Sequence, residues 1–95
     1  MKKLNVAIIG TGFMGKAHSN AWSAVPKFFQ LGIKPVMKVA CDTERECTAT
    51  FANNWGWENV EIDWRKVVER KDIDIVDICT PTWLHQEIAV AAAQN

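Results

Sequence analysis

Gly10-Thr11-Gly12-Phe13-Met14-Gly15 places three glycines in a G-x-G-x-x-G frame. The chemistry such a frame offers is the binding of a diphosphate. Gly10 permits a tight turn, Gly12 lacks the Cβ that would hold an anion off the backbone, and Gly15 lets a helix lie close to a strand. Thr11, Phe13 and Met14 complete the loop. Its free amides, and the positive end of the helix dipole behind them, face the phosphates. As a bare pattern the frame is a glycine-rich turn with packing value only. Directly after a strand and at the start of a helix, it reads as a dinucleotide-binding loop.

Two further elements belong with that loop. Asp42 ends the second strand; a carboxylate there can accept hydrogen bonds from adenosine ribose hydroxyls and repels a 2′-phosphate. It stands 27 residues after Gly15, whereas the usual ribose acid comes about 20 residues on. The stretch from Pro26 to Pro35 accounts for the excess. Arg45 pulls the other way, since a nearby arginine can hold a 2′-phosphate, so NAD is the expected cofactor with NADP as the alternative. Thr80-Pro81-Thr82-Trp83-Leu84-His85 follows the last strand. Pro81 sets that turn without needing a donor. His85, one turn into the next helix, either reaches a ribose or nicotinamide or sits on the helix surface.

These three elements need a scaffold that brings them together. Leu4 to Ile9 is a short apolar run suited to a strand covered on both faces. A helix from Phe13 shows Met14, Ala17, Ala21 and Val25 at helical spacing, and Pro26 should end or kink it. Lys27 to Leu31 can add a short turn. Val36 to Cys41 is the second strand, with Pro35 before it. Thr43 and Glu46 have capping-box spacing for a helix carrying Cys47, Ala49, Thr50 and Phe51, which ends between Asn53 and Gly56. Val60 to Ile62 is a short third strand. Asp63 caps a helix from Trp64 to Arg70. Ile73 to Thr80 is the strongest strand, broken by Pro81. Thr82 caps a last helix, Trp83 to Gln94, with Leu84, Ile88, Ala91 and Ala92 on its apolar face.

The order βαβαβαβα implies an α/β fold, a parallel sheet with right-handed crossovers. We expect a partial doubly wound sheet of Rossmann type, about four parallel strands in order 3-2-1-4 with flanking helices. In that order the loops at Gly10 and Thr80 face each other across the crevice where ligands bind. Four strands are fewer than a complete dinucleotide domain needs, and the last helix has no strand after it. Residues 1–95 therefore read as the N-terminal part of such a domain, the catalytic and substrate-binding part being absent.

Composition agrees and excludes much else. Lysines and arginines number 11, as do aspartates and glutamates, for a net charge of zero. That balance gives no reason to expect nucleic acid or a membrane as partner. No apolar stretch is long enough to span a bilayer, and no signal peptide is evident. Three cysteines, an odd number, argue for reduced thiols in a cytoplasmic protein rather than a disulfide framework. Cysteine and histidine spacing matches no metal site, so none is expected. Asp77 is anomalous, a carboxylate inside an apolar strand that must find a partner or face a gap. His18 is read as a helix-exterior or packing residue, Lys66 as solvated, and the five tryptophans mostly as packing, with Trp83 the one considered near a ligand.

The segments V-A-I-I-G-T-G-F-M-G-K-A-H and I-D-I-V-D-I-C-T-P-T-W-L-H, with the acid after the second strand, resemble the cofactor domain of Gfo/Idh/MocA oxidoreductases over essentially all 95 residues. The resemblance implies an NAD(P)-dependent oxidoreductase acting on a sugar, cyclitol or related polyol. Gly10 to Gly15 would line the pyrophosphate, Asp42 the adenosine ribose, and Thr80, Pro81 and His85 the nicotinamide ribose. Thr82 stands where the family often has Asn. The family's Glu-Lys-Pro motif with its catalytic lysine would follow Asn95, and its active-site Asp and His lie in a second domain, so no catalytic residue is assigned to this chain. Two other classes remain: a non-catalytic nucleotide-binding Rossmann module, and a methyltransferase fragment, in which the T-P-x-x-x-H loop has no job. Exposed sheet edge and uncovered apolar surface make self-association into a homo-oligomer plausible.

Overall fold

The computed structural model describes residues 2–28 and 32–95, with the side chains of 26–28, 82 and 83 outside the description. The described elements run β1 (Lys2–Ile9), α1 (Phe13–Phe28), β2 (Ile33–Cys41), α2 (Arg45–Trp55), β3 (Asn59–Glu61), α3 (Trp64–Glu69), β4 (Ile75–Ile78) and α4 (Thr82–Gln94). The sheet order is β3-β2-β1-β4 and every pairing is parallel. This is the 3-2-1-4 order expected of a Rossmann-type sheet.

β1 is apolar without alternation because both its faces are covered. Val6 and Ile8 turn toward Phe51, Ala52 and Trp57, whereas Ala7 and Ile9 turn toward Val67, Val68 and Ile88. Val6, Ala7 and Ile8 are wholly buried. Burying an aliphatic side chain of this size contributes about 1.5–3 kcal/mol, so the central strand anchors both layers. The apolar face of α4 is as expected: Ile88 is buried, with Leu84, Ala91 and Ala92 packed around it.

Several boundaries differ from the sequence expectation, each for a local reason. Pro35 lies inside β2, opposite Leu4. β3 pairs with β2 only from Val39 to Cys41, so Pro35 sits where β2 has one neighbour and its missing donor costs no ladder bond. α1 continues past Pro26 to Phe28, close enough to its end that only the last turn loses a hydrogen bond. The turn proposed for Lys27 to Leu31 falls partly on residues 29–31, outside the described residues. The Thr43–Glu46 capping box does not form. Glu44 occupies the N-cap position of α2 without a side-chain cap, because the Thr43 amide is already taken by Asp42 Oδ1 at 2.8 Å. The other end behaves as read, with Gly56 as a left-handed cap at φ 86°. Asp63 caps α3 by accepting from the Arg65 amide at 3.0 Å. α4 begins at Thr82 with Pro81 at the cap position, one residue earlier than expected.

The largest departure is the rotation of α1. Met14 is 52% exposed, Ala17 and Ala21 are exposed, and Gly15 and Ser19 are buried, with His18 and Trp22 half-buried. Gly15 must lie against the Gly10 carbonyl, and that contact turns the helix so that positions four and seven residues on also face the sheet. Buried Ser19 is satisfied there by the Trp57 indole, which donates to its hydroxyl at 3.0 Å.

Candidate functional site

The carboxyl ends of β1, β2 and β4 open onto one crevice of about 570 Å³. The glycine loop contributes residues 10–14, the end of β2 contributes Cys41, Asp42 and Thr43, and the turn after β4 contributes Cys79, Thr80 and Pro81. Ile62, Trp64 and Leu84 close it with an apolar wall. Parallel pairing brings the tips together. The Gly10 amide donates to the Cys41 carbonyl at 2.8 Å, and the Cys79 amide to the Ile9 carbonyl at 2.7 Å.

The glycines divide by what surrounds them. At Gly10, φ is +107° and an added Cβ would lie 2.6 Å from the Cys79 carbonyl carbon and oxygen. Gly10 therefore serves the β1–β4 approach, and Gly15 the approach of α1 to β1. Gly12 is different: nothing lies within 4 Å of where its Cβ would be. The space a side chain would fill there is the space above the amides at the start of α1. Its carbonyl accepts from the Lys16 amide at 3.0 Å, which makes Gly12 the residue that caps the helix.

Asp42 reaches across to the loop. Its Oδ2 accepts from the Thr11 hydroxyl at 2.6 Å and from the Thr11 amide at 3.0 Å, and its Oδ1 accepts from the Thr43 amide. Burial works to raise this carboxyl. The hydrogen bonds from the Thr11 hydroxyl and from the Thr43 and Thr11 amides outweigh it and hold the group below its ordinary value. The linkage sign follows from that depression. Asp42 stabilises the fold above its unfolded value, near 3.8, and this contribution is lost as pH falls through the lower folded value. Wild-type melting temperature should therefore drop more steeply below that pH than that of Asp42→Asn; parallel acid limbs would remove the effect.

Of the sequence-predicted residues, Gly10, Thr11, Gly12, Phe13, Met14, Asp42, Thr80 and Pro81 line the crevice, and Gly15 and His85 do not. Gly15 lies beneath the loop. His85 Nε2 stands 2.7 Å from the Thr80 carbonyl oxygen, where it braces the turn. Thr80 Oγ1 is buried with no hydrogen-bond partner, the one such side-chain atom among the described residues. The expected cap at Thr82 and the ligand contact considered for Trp83 concern side chains outside the description.

Ile62 and Trp64 were not singled out as site residues from the sequence. The available signal was positional, since they follow β3 at the carboxyl edge of the sheet, where ligands of open α/β sheets bind. The partner demanded by Asp77 is also found. His18 Nδ1 lies 2.9 Å from both carboxylate oxygens, and the Trp22 indole donates to Oδ2 at 2.9 Å. Cys79 Sγ is 3.3 Å from His18 Nδ1, so three residues of metal-ligating type converge. Burial first, then the Asp77 charge, push the Cys79 thiol up to about 12. Through these hydrogen bonds the cluster ties α1 to β4.

Comparison with known proteins agrees with this architecture. A family model described as "Oxidoreductase family, NAD-binding Rossmann fold" matches residues 4–95. The levoglucosan dehydrogenase of Pseudarthrobacter phenanthrenivorans is 50% identical over 95 residues, which cover 99% of this chain and 24% of that protein. A solved structure of levoglucosan dehydrogenase in complex with NADH and L-sorbose superposes with a TM-score of 0.95 at 49% identity, covering 99% of this chain and 26% of that one. An oxidoreductase domain protein from Kribbella flavida gives a TM-score of 0.94 at 44% identity, covering 99% of this chain and 24% of that one. The chain spans about a quarter of the length of the relatives it matches. On the match across the sheet, the glycine loop and the turn after β4, this chain belongs to the Gfo/Idh/MocA oxidoreductase family and carries its NAD-binding Rossmann fold.

Proposed function

We propose that the crevice binds NAD(H), and that the chain is the cofactor-binding part of a dehydrogenase acting on a sugar or related polyol. The carrying observation is the empty volume over Gly12, in a crevice lined on one side by Asp42 and on the other by Thr80 and Pro81. A dinucleotide fits these groups. The amides of the glycine loop hold the diphosphate. Asp42 holds the adenosine ribose, and Ile62, Trp64 and Leu84 offer the adenine an apolar wall. Thr80 and Pro81 lie toward the nicotinamide ribose, with His85 fixing the turn that carries them. The 50% identical relative is named for levoglucosan, which supports a carbohydrate substrate.

The bound nicotinamide would supply hydride acceptance from a carbinol carbon. This chain contributes binding and orientation, and among the described residues no lysine lines the crevice. The proton-transferring groups and the substrate pocket are assigned to chain outside these 95 residues.

Titration with NADH and NADPH, followed by tryptophan fluorescence, tests the reading. Binding that favours NADH is expected, and absence of binding at millimolar ligand would overturn it. Asp42→Arg replaces a repelling charge with two charge-assisted donors for a 2′-phosphate. It should move the NADH-to-NADPH preference by about a hundredfold; an unchanged ratio would remove Asp42 from the site.

A further inference from the structure

Thr11 lies inside the phosphate loop, yet its side chain does not face the loop's empty volume alone. Its hydroxyl is spent on Asp42, 31 residues away in sequence. The 2.6 Å separation is that of a short, charge-assisted O–H···O⁻ bond. A carboxylate offers about four acceptor positions. The Thr11 hydroxyl, the Thr11 amide and the Thr43 amide occupy three of them. Two of these fall on Oδ2 and one on Oδ1, and the Thr43 side chain also bears on the carboxylate. The carboxylate is thereby fixed in rotation as well as in place.

We infer that Thr11 is a specificity-determining residue: its hydroxyl locks the Asp42 carboxylate in the orientation that receives an adenosine ribose hydroxyl and opposes a 2′-phosphate. This rests on the NAD(H) reading of the crevice. It differs from the role expected of a loop residue, which is to serve the diphosphate common to NADH and NADPH. A residue serving the diphosphate affects both cofactors alike. A residue orienting Asp42 affects the one that differs at the ribose. Preorganisation is the physical basis, because a carboxylate free to turn must be ordered when the ribose arrives, at a cost in affinity.

The test compares dissociation constants for NADH and NADPH in the wild-type chain, Thr11→Val and Thr11→Ser. Valine keeps the shape and removes the donor; serine keeps the donor. Thr11→Val should weaken NADH about tenfold and leave NADPH within about twofold, so that the preference collapses. Thr11→Ser should keep it. Adding Thr11→Val to Asp42→Asn should change NADH binding by less than about twofold, since no charged carboxylate remains to orient. Circular dichroism and melting temperature establish that each variant is folded, and Thr11→Ala gives the same ratio test if valine is not tolerated. Equal weakening of both cofactors, or an unchanged ratio, would overturn the inference and leave the cofactor reading standing. A wild-type chain that binds neither would overturn both.

Discussion

Gly10→Ala is expected to cost about 2–6 kcal/mol of stability, or to prevent folding. Two penalties combine. At φ +107° an L side chain is strained, by roughly 1–3 kcal/mol. The new methyl would also lie 2.6 Å from the Cys79 carbonyl carbon and oxygen and 3.0 Å from the Thr80 nitrogen. Those atoms are backbone and cannot swing aside, so β1 and β4 must part, at about 1–3 kcal/mol more. A small domain has only about 5–15 kcal/mol in all. Urea unfolding followed by circular dichroism measures the loss. A midpoint close to wild type would show that the loop can relax, and that the close approach of the two strand tips is not required.

Gly12→Val should do the opposite, keeping the fold and abolishing cofactor binding. No atom lies within 4 Å of the added Cβ, and Gly12 needs no positive φ. The cost in stability is that of a poor helix cap, about 1 kcal/mol. The isopropyl group, however, fills the volume assigned to the diphosphate. Displacing the anion from two amide donors costs roughly a thousandfold in NADH affinity. Equilibrium dialysis with NADH, beside a melting curve, reads both quantities. Unimpaired binding by a folded Gly12→Val chain would place the diphosphate elsewhere. Together the two variants separate a glycine required by the chain's own packing from one required by its ligand, although the motif writes both alike.

Asp77 was readable as an anomaly but not as a tie. A charge in an apolar strand demands a partner. Nothing in the spacing says that His18 and Trp22, four residues apart on α1, would supply it. On β4, Ile75, Asp77 and Cys79 share the face toward α1, and Val76 and Ile78 face α3 and α4. The strand thus follows ordinary alternation once its two sides are known.

The amino-acid sequence alone determined the alternation of strands and helices, the glycine loop at the first strand tip, the acid at the second and the proline turn at the fourth. Local propensity and right-handed crossovers give a parallel sheet, and the glycine loop, as a dinucleotide-binding signature, selects the order β3-β2-β1-β4. Tertiary structure decided the rotation of α1, where the Gly10–Gly15 contact overrides the apolar stripe of Met14, Ala17 and Ala21. It also decided the entry of Ile62 and Trp64 into the crevice and the seizure of Asp42 by Thr11. Periodicity reports which side chains prefer to leave water. Which of them meet depends on strand tips far apart in sequence being drawn to one edge of the sheet, and that is a property of the assembled fold.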